Sequence, residues 1–256
     1  MGGEVNITGI EYLDLTWTIS SGCKNWSTGV CGGGGQTFKC WAKGQTKLRP
    51  QHYPYGFLPT FYPQRLGEPM KRKKSAIIGV SFMGDLFGDW MLKGRVIPDI
   101  DGELWSGQGI IESILRTVED CPQHIFVFLT KCPQNLARWD PWPKNCFVGA
   151  SATDNTTLLN ACYYLGHVTA SVKFISLEPF LKWENLGLQY FKVDPVDWLI
   201  IGAATGVGAK PPQLSWVQGI TEAANDAGVP LFYKNNLLKY FPDLPQRREW
   251  PRREKP

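Results

Sequence analysis

Ile77-Ile78-Gly79-Val80 is a run without a polar side chain, and a strand of that composition must be buried on both faces. A half-exposed antiparallel strand alternates apolar and polar residues. A continuous run is what a parallel strand shows when helices cover one side and a core fills the other. Leu199-Ile200-Ile201 repeats the pattern. Working outward, short β-rich apolar segments recur at 15–19, 76–82, 125–130, 146–151, 172–177, 198–203 and 230–234. Helical periodicity fills several of the gaps. Ile110, Ile111, Ile114, Leu115 and Val118 form one stripe, and Leu158, Leu159, Ala161, Cys162 and Leu165 form a second behind a capping residue at Asp154. Trp216, Ile220, Ala223 and Ala224 form a third, stopped by Gly228 and Pro230. Six or seven strand-helix units in a row predict an α/β fold with a parallel sheet. A partial TIM-like (β/α)6-7 barrel is favoured over a doubly wound sheet.

The chain has 256 residues, 43% hydrophobic and 20% charged, which suits a folded globular protein and not a disordered one. A single domain over 1–242 is expected, with an irregular, proline-rich excursion at about 44–69 and a poorly ordered basic tail at 243–256. No apolar run approaches the roughly 20 residues that span a bilayer, so no membrane association and a cytoplasmic location are expected. Seven cysteines, an odd number, argue for reduced thiols and metal or redox chemistry over a disulfide framework. The net charge of +4 is unevenly placed, with Lys71, Arg72, Lys73 and Lys74 in one run and five basic against two acidic residues in 246–256. Such patches suit a polyanionic partner or simply a solvated face.

In a parallel α/β fold, ligands bind at the carboxyl ends of the strands. Reading just past each predicted strand therefore samples one surface. It collects Ser21, Gly22 and Cys23; Met83, Gly84 and Asp85; Lys131 and Cys132; Thr153 and Asp154; Glu178 and Pro179; Gly202-Ala203-Ala204-Thr205-Gly206-Val207-Gly208; and Lys234, Asn235 and Asn236. The first of these loops carries Cys23, seven residues, Cys31, eight residues, Cys40, with Gly32-Gly33-Gly34-Gly35 between the last two. Three thiolates would leave one iron of a cubane cluster open to an outside ligand. Zinc is the competitor, with His52 as a fourth ligand, and three unligated thiols are the plain alternative. The glycine-rich loop after the sixth strand also admits a nucleotide-phosphate site, although no clean GxGxxG or Walker pair is present.

Further segments give the pattern a family character. Glu11-Tyr12-Leu13-Asp14-Leu15-Thr16-Trp17 runs into Ser21-Gly22-Cys23 and then Cys40-Trp41-Ala42. Ser81-Phe82-Met83-Gly84-Asp85-Leu86-Phe87, Leu129-Thr130-Lys131-Cys132-Pro133, Ser176-Leu177-Glu178-Pro179, Asp197-Trp198, Gly208-Ala209-Lys210-Pro211 and Gly228-Val229-Pro230-Leu231-Phe232-Tyr233-Lys234 follow in order. Together they resemble a phage- and prophage-encoded radical-SAM-like family of formerly unknown function, with a TW...GC...C...CYA pattern, distantly similar to spore photoproduct lyase. Trp41 stands where that pattern has tyrosine, and the four glycines lengthen the spacing before Cys40.

The resemblance implies a radical-SAM type of barrel, a [4Fe-4S] cluster on Cys23, Cys31 and Cys40, and S-adenosyl-L-methionine as cosubstrate. Ser81, Gly84, Asp85 and Gly202 would lie around that molecule, Asp85 on its methionine amine. Ser151 and Glu178 are candidates for its ribose and methionyl groups; helix capping at Ser151 and a structural salt bridge at Glu178 are the plain alternatives. Cys132 would be a hydrogen-atom donor, and Lys131 and Lys234 would position an anionic substrate. A nucleic-acid base or nucleotide is the expected substrate, and a flavodoxin or ferredoxin the expected electron donor. The alternative function is a non-catalytic zinc- or cluster-binding nucleic-acid protein.

Overall fold

The structure, a computed structural model, describes residues 6–25, 40–92, 94–183, 196–205 and 208–251. Its main sheet runs β1 (Asn6–Ile7), β2 (Leu15–Trp17), β5 (Ile77–Val80), β8 (Ile125–Thr130), β9 (Cys146–Ala152), β10 (Val172–Leu177), β11 (Trp198–Ile201) and β12 (Leu231–Tyr233). β1 is antiparallel to β2; the seven from β2 onward are parallel and follow one another in chain order. A doubly wound sheet reverses its strand order at a switch point, and this sheet never does. It curls one way into a half-barrel, and all seven predicted strands are present.

Side-chain alternation divides the barrel into two cores. Phe126, Phe128, Val148, Ala150, Ile175, Leu177, Leu199, Ile201 and Tyr233 face outward onto α3 (Gly107–Glu119), α4 (Asn155–Gly166) and α5 (Leu214–Ala227). Val127, Phe147, Val172, Phe174, Trp198, Ile200 and Phe232 face inward and, with Tyr12 and Leu13, plug the barrel. Gly149 makes this plug possible, since a Cβ there would lie 2.4 Å from the Phe174 ring. Two helix boundaries expected from sequence are present, the start at Asp154 and the stop at Gly228. Asp154 accepts from Thr157 N at 2.8 Å in a capping box that opens α4, and Gly228 in the left-handed region (φ 69°) closes α5.

The excursion is more regular than its prolines suggest. It opens with α1 (Trp41–Leu48), returns through β4 (Thr60–Phe61), which pairs with β3 (Ser20–Ser21), and ends in the single turn α2 (Glu68–Lys71). A hairpin of β6 (Val96–Pro98) and β7 (Leu104–Ser106), unsuspected from sequence, precedes α3. The basic tail also departs from its expected disorder. Residues 247–249 lie antiparallel along the open edge of β12, through Tyr233 N to Arg247 O at 2.9 Å and Glu249 N to Leu231 O at 3.0 Å. Trp198 Nε1 donates to Glu249 O at 2.8 Å, and Trp250 stacks on Trp198 at 4.9 Å, covering the plug. The tail thus protects an edge that would otherwise present unpaired backbone groups. Among the described residues no helix is long and apolar enough to cross a membrane.

Trp250→Ala is expected to lower stability by about 1–2 kcal/mol, read as a lower denaturant midpoint.

Candidate functional site

Above the apolar plug, the next inward positions turn polar. Lys131 after β8, Ser151 in β9, Ser176 in β10, Glu178 after β10 and Lys234 after β12 form a ring at the carboxyl ends of the strands. With Tyr12, Cys23, Asn25, Cys40 and the cavity side of α1, they line a cavity of about 800 Å³. Its size is that of a pocket for a cofactor or drug-sized ligand.

Cys23 is placed by backbone close to its limit of approach. Gly22, at φ 84°, donates its N–H to Met83 O at 3.1 Å and pairs with Gly84. A Cβ on Gly84 would meet Gly22 O at 2.3 Å, and one on Gly22 would meet Leu58 O at 2.1 Å. Only two glycines can pass here, and Cys23, 7% exposed, follows directly with its N–H on Phe57 O. Cys40 is the N-cap of α1. Cys23 and Cys40 therefore both line the same cavity. Cys31 lies outside the described residues. His52, the candidate zinc ligand, is exposed and does not line the cavity.

Asp85 ties this loop to the barrel. Buried to 6% exposure, it accepts from Thr130 Oγ1 at 2.7 Å, Asn25 Nδ2 and Lys131 N at 2.9 Å each, and Phe87 N at 3.0 Å. Burial pushes its carboxyl above the usual carboxylate range, opposed first by the Thr130 hydrogen bond. A carboxylate has about four acceptor sites, and four protein donors fill them. Asp85 lies on the wall of the cavity and, through these bonds, positions the loops that carry Asn25 and Lys131.

Glu178 and Lys234 form an ion pair at 2.6 Å, and Asn236 Nδ2 adds a bond to Glu178 at 3.2 Å. Gly202 leaves room for that carboxylate, since a Cβ would lie 3.0 Å from Glu178 Cδ. Lys234 was expected to meet an anionic substrate, but its charge is already matched, with Glu11 a further 3.8 Å partner. Lys131 approaches Ser151 Oγ at 3.5 Å. Ser176 is fully buried and lines the cavity, and among the described residues its Oγ has no hydrogen-bond partner.

Three expected residues, Gly202, Ser81 and Cys132, are not among those that line the cavity. Ser81, in the left-handed region (φ 56°), bonds Ser20 and does not line the cavity. Cys132, expected on the rim, is 4% exposed behind Asn25, donating to Asn25 Oδ1 at 3.3 Å, and is not among the lining residues. Asn25 itself was missed by the sequence reading, as were Tyr12 and Ser176. The alternation of β10 would have found Ser176, two residues beyond the buried Phe174.

The described residues of the basic segments that suggested a polyanionic partner do not line the cavity. Residues 71–74 precede β5, at the amino end of the barrel. In the tail, Arg247 bonds Glu249 and Asn225, and the Arg248 guanidinium lies over the Phe232 ring and bonds Asn235.

Residues 7–239 match the model of a family described as "Protein of unknown function (DUF5131)", and the chain belongs to that family. No curated protein and no solved structure matches the chain.

Asp85→Asn would set an amide N–H₂ against backbone and hydroxyl donors. The variant is expected to lose about 2–3 kcal/mol by denaturant titration, whereas Gly202→Ala should leave the melting profile nearly intact while displacing the Glu178 carboxyl.

Proposed function

We propose that this member of the DUF5131 family is a radical S-adenosylmethionine enzyme that acts on a nucleic-acid base or nucleotide. The observation that carries the reading is the convergence of Cys23 and Cys40, seventeen positions apart, on one cavity at the carboxyl ends of seven parallel strands. Cys31 lies in the loop between them and is the natural third ligand. Three thiolates suit a [4Fe-4S] cluster with one open iron.

The remaining residues fit a bound S-adenosylmethionine on separate grounds. Ser176 is an orphaned buried hydroxyl, which costs stability unless a ligand completes its hydrogen bond. Ser151, opposite it in the strand register, and Lys131 extend that polar patch toward a carboxylate or ribose. When bound, the cluster and S-adenosylmethionine supply a 5′-deoxyadenosyl radical for hydrogen abstraction, with the electron from a flavodoxin or ferredoxin.

The chain's part is to hold and to shield. Tyr12, Phe82 and Leu129 form an apolar floor that keeps water from a reactive centre. Asp85 fixes Asn25, whose backbone N–H donates to Cys23 Sγ at 3.3 Å. Hydrogen bonds to ligating sulfurs tune a cluster's potential. The Glu178–Lys234 pair leaves the far wall neutral, so among the described lining residues Lys131 is the cation available to an anionic group.

Protein purified without oxygen should carry about four iron and four sulfide per chain and release 5′-deoxyadenosine with a reductant. Cys23→Ala, Cys31→Ala and Cys40→Ala should each lose the iron. One zinc per chain, and no turnover, would establish instead the non-catalytic metal-binding protein. Ser176→Ala should leave the ligand-free protein at least as stable as before and weaken S-adenosylmethionine binding about 2- to 10-fold.

A further inference from the structure

No acidic residue occurs between Asp14 and Glu68, although the chain carries 23 over its 256 positions. Lys24, Lys39, Lys43, Lys47, Arg49 and Arg65 lie within that stretch, so its charge is of one sign. Among its described residues, Cys23, Asn25, Cys40 and Phe57 line the cavity, and α1 forms one wall.

At 100° per residue, α1 presents three distinct flanks. Ala42 and Thr46 are buried against the body. Trp41, Gln45 and Leu48 share the flank that lines the cavity, and Trp41 is 64% exposed there. Lys43 and Lys47 share the flank turned away from the cavity, and Arg49 and His52 follow on exposed turns. Tyr55 and Leu58 extend the exposed apolar surface beyond Trp41. A cationic outer flank, a large aromatic ring at the crest and a cavity behind it form an ordered sequence. Its counterpart is a chain with repeating negative charge on one side and flat π-faces on the other.

We propose that α1 and the turns after it, residues 41–58, are the docking surface for single-stranded nucleic acid. The phosphates follow Lys47 and Arg49, one base stacks on Trp41, and a neighbouring base passes into the cavity. The inference rests on the reading of that cavity as a site for a nucleic-acid base. A single strand fits because its bases are free to leave the backbone and stack, whereas duplex bases are already stacked on one another. Charge complementarity sets the affinity, and aromatic stacking makes it tolerant of sequence. The surface also explains why the basic run at 71–74 and the tail arginines need not contact the substrate.

The test is fluorescence anisotropy of a labelled single-stranded oligonucleotide, and of the matching duplex, titrated with the full-length protein at several salt concentrations. Binding should weaken steeply with salt and favour the single strand. The double variant Lys47→Glu/Arg49→Glu should weaken it at least tenfold and flatten the salt dependence. Trp41→Ala should weaken it about tenfold with little change in salt dependence. These side chains are exposed, so unchanged melting curves verify that the variants fold.

Equal or tighter binding of the duplex overturns the proposal, as does binding unaffected by both variants. If the charge reversal instead abolishes electron transfer from an acidic flavodoxin and spares oligonucleotide binding, the surface belongs to a protein partner and the proposal fails. The two readings fail separately. Iron, sulfide and 5′-deoxyadenosine without oligonucleotide binding would sink the docking surface alone, and oligonucleotide binding by a protein without a cluster would sink the catalytic reading alone.

Discussion

A single buried carboxylate ties together the parts of the cavity that sequence places far apart. Asp85 takes donors from the loops after β3, β5 and β8, so the cysteine loop, its own loop and Lys131 share one anchor. Burial makes a lone carboxylate expensive. Four hydrogen bonds offset that cost, and they also oblige three segments to keep one arrangement. Next to it, the Gly22–Gly84 contact brings two backbones as close as they can come. Cys23 is thereby fixed relative to the barrel rather than left on a flexible loop, and fixed ligands are what a metal centre needs.

The barrel explains why this anchor stands beside a cavity. Inward positions below are filled by Phe147, Phe174, Trp198 and Phe232; two residues further along, Phe174 and Phe232 give way to Ser176 and Lys234, and four further along, Phe147 and Trp198 give way to Ser151 and Gly202. A dry plug under a polar ring gives a floor that excludes water and walls that orient a ligand. The two tasks fall on successive layers of the same strands.

Much of the architecture was legible in the sequence because burial on both faces leaves continuous apolar runs. Those runs fixed seven strands, and the strand-end rule placed Asp85, Lys131, Ser151, Glu178 and Lys234 on one surface. What stayed hidden depends on long-range pairing. That Glu178 and Lys234 neutralise one another, that Asp85 is saturated, and that Cys132 sits behind Asn25 all join residues distant in the chain. α1 was missed because it buries little more than Ala42 and Thr46 and carries Gly44, so no apolar stripe announces it. The tail looked loose because its order comes from the stack of Trp250 on Trp198, which no local pattern encodes.

The central claim is a cluster held by three cysteines with one iron left open toward the cavity. Electron paramagnetic resonance of the reduced protein, recorded before and after addition of S-adenosylmethionine, tests it most directly. The account predicts a cluster signal that changes when the molecule binds the open iron. A protein with no cluster signal, or one whose signal is indifferent to S-adenosylmethionine, would contradict it.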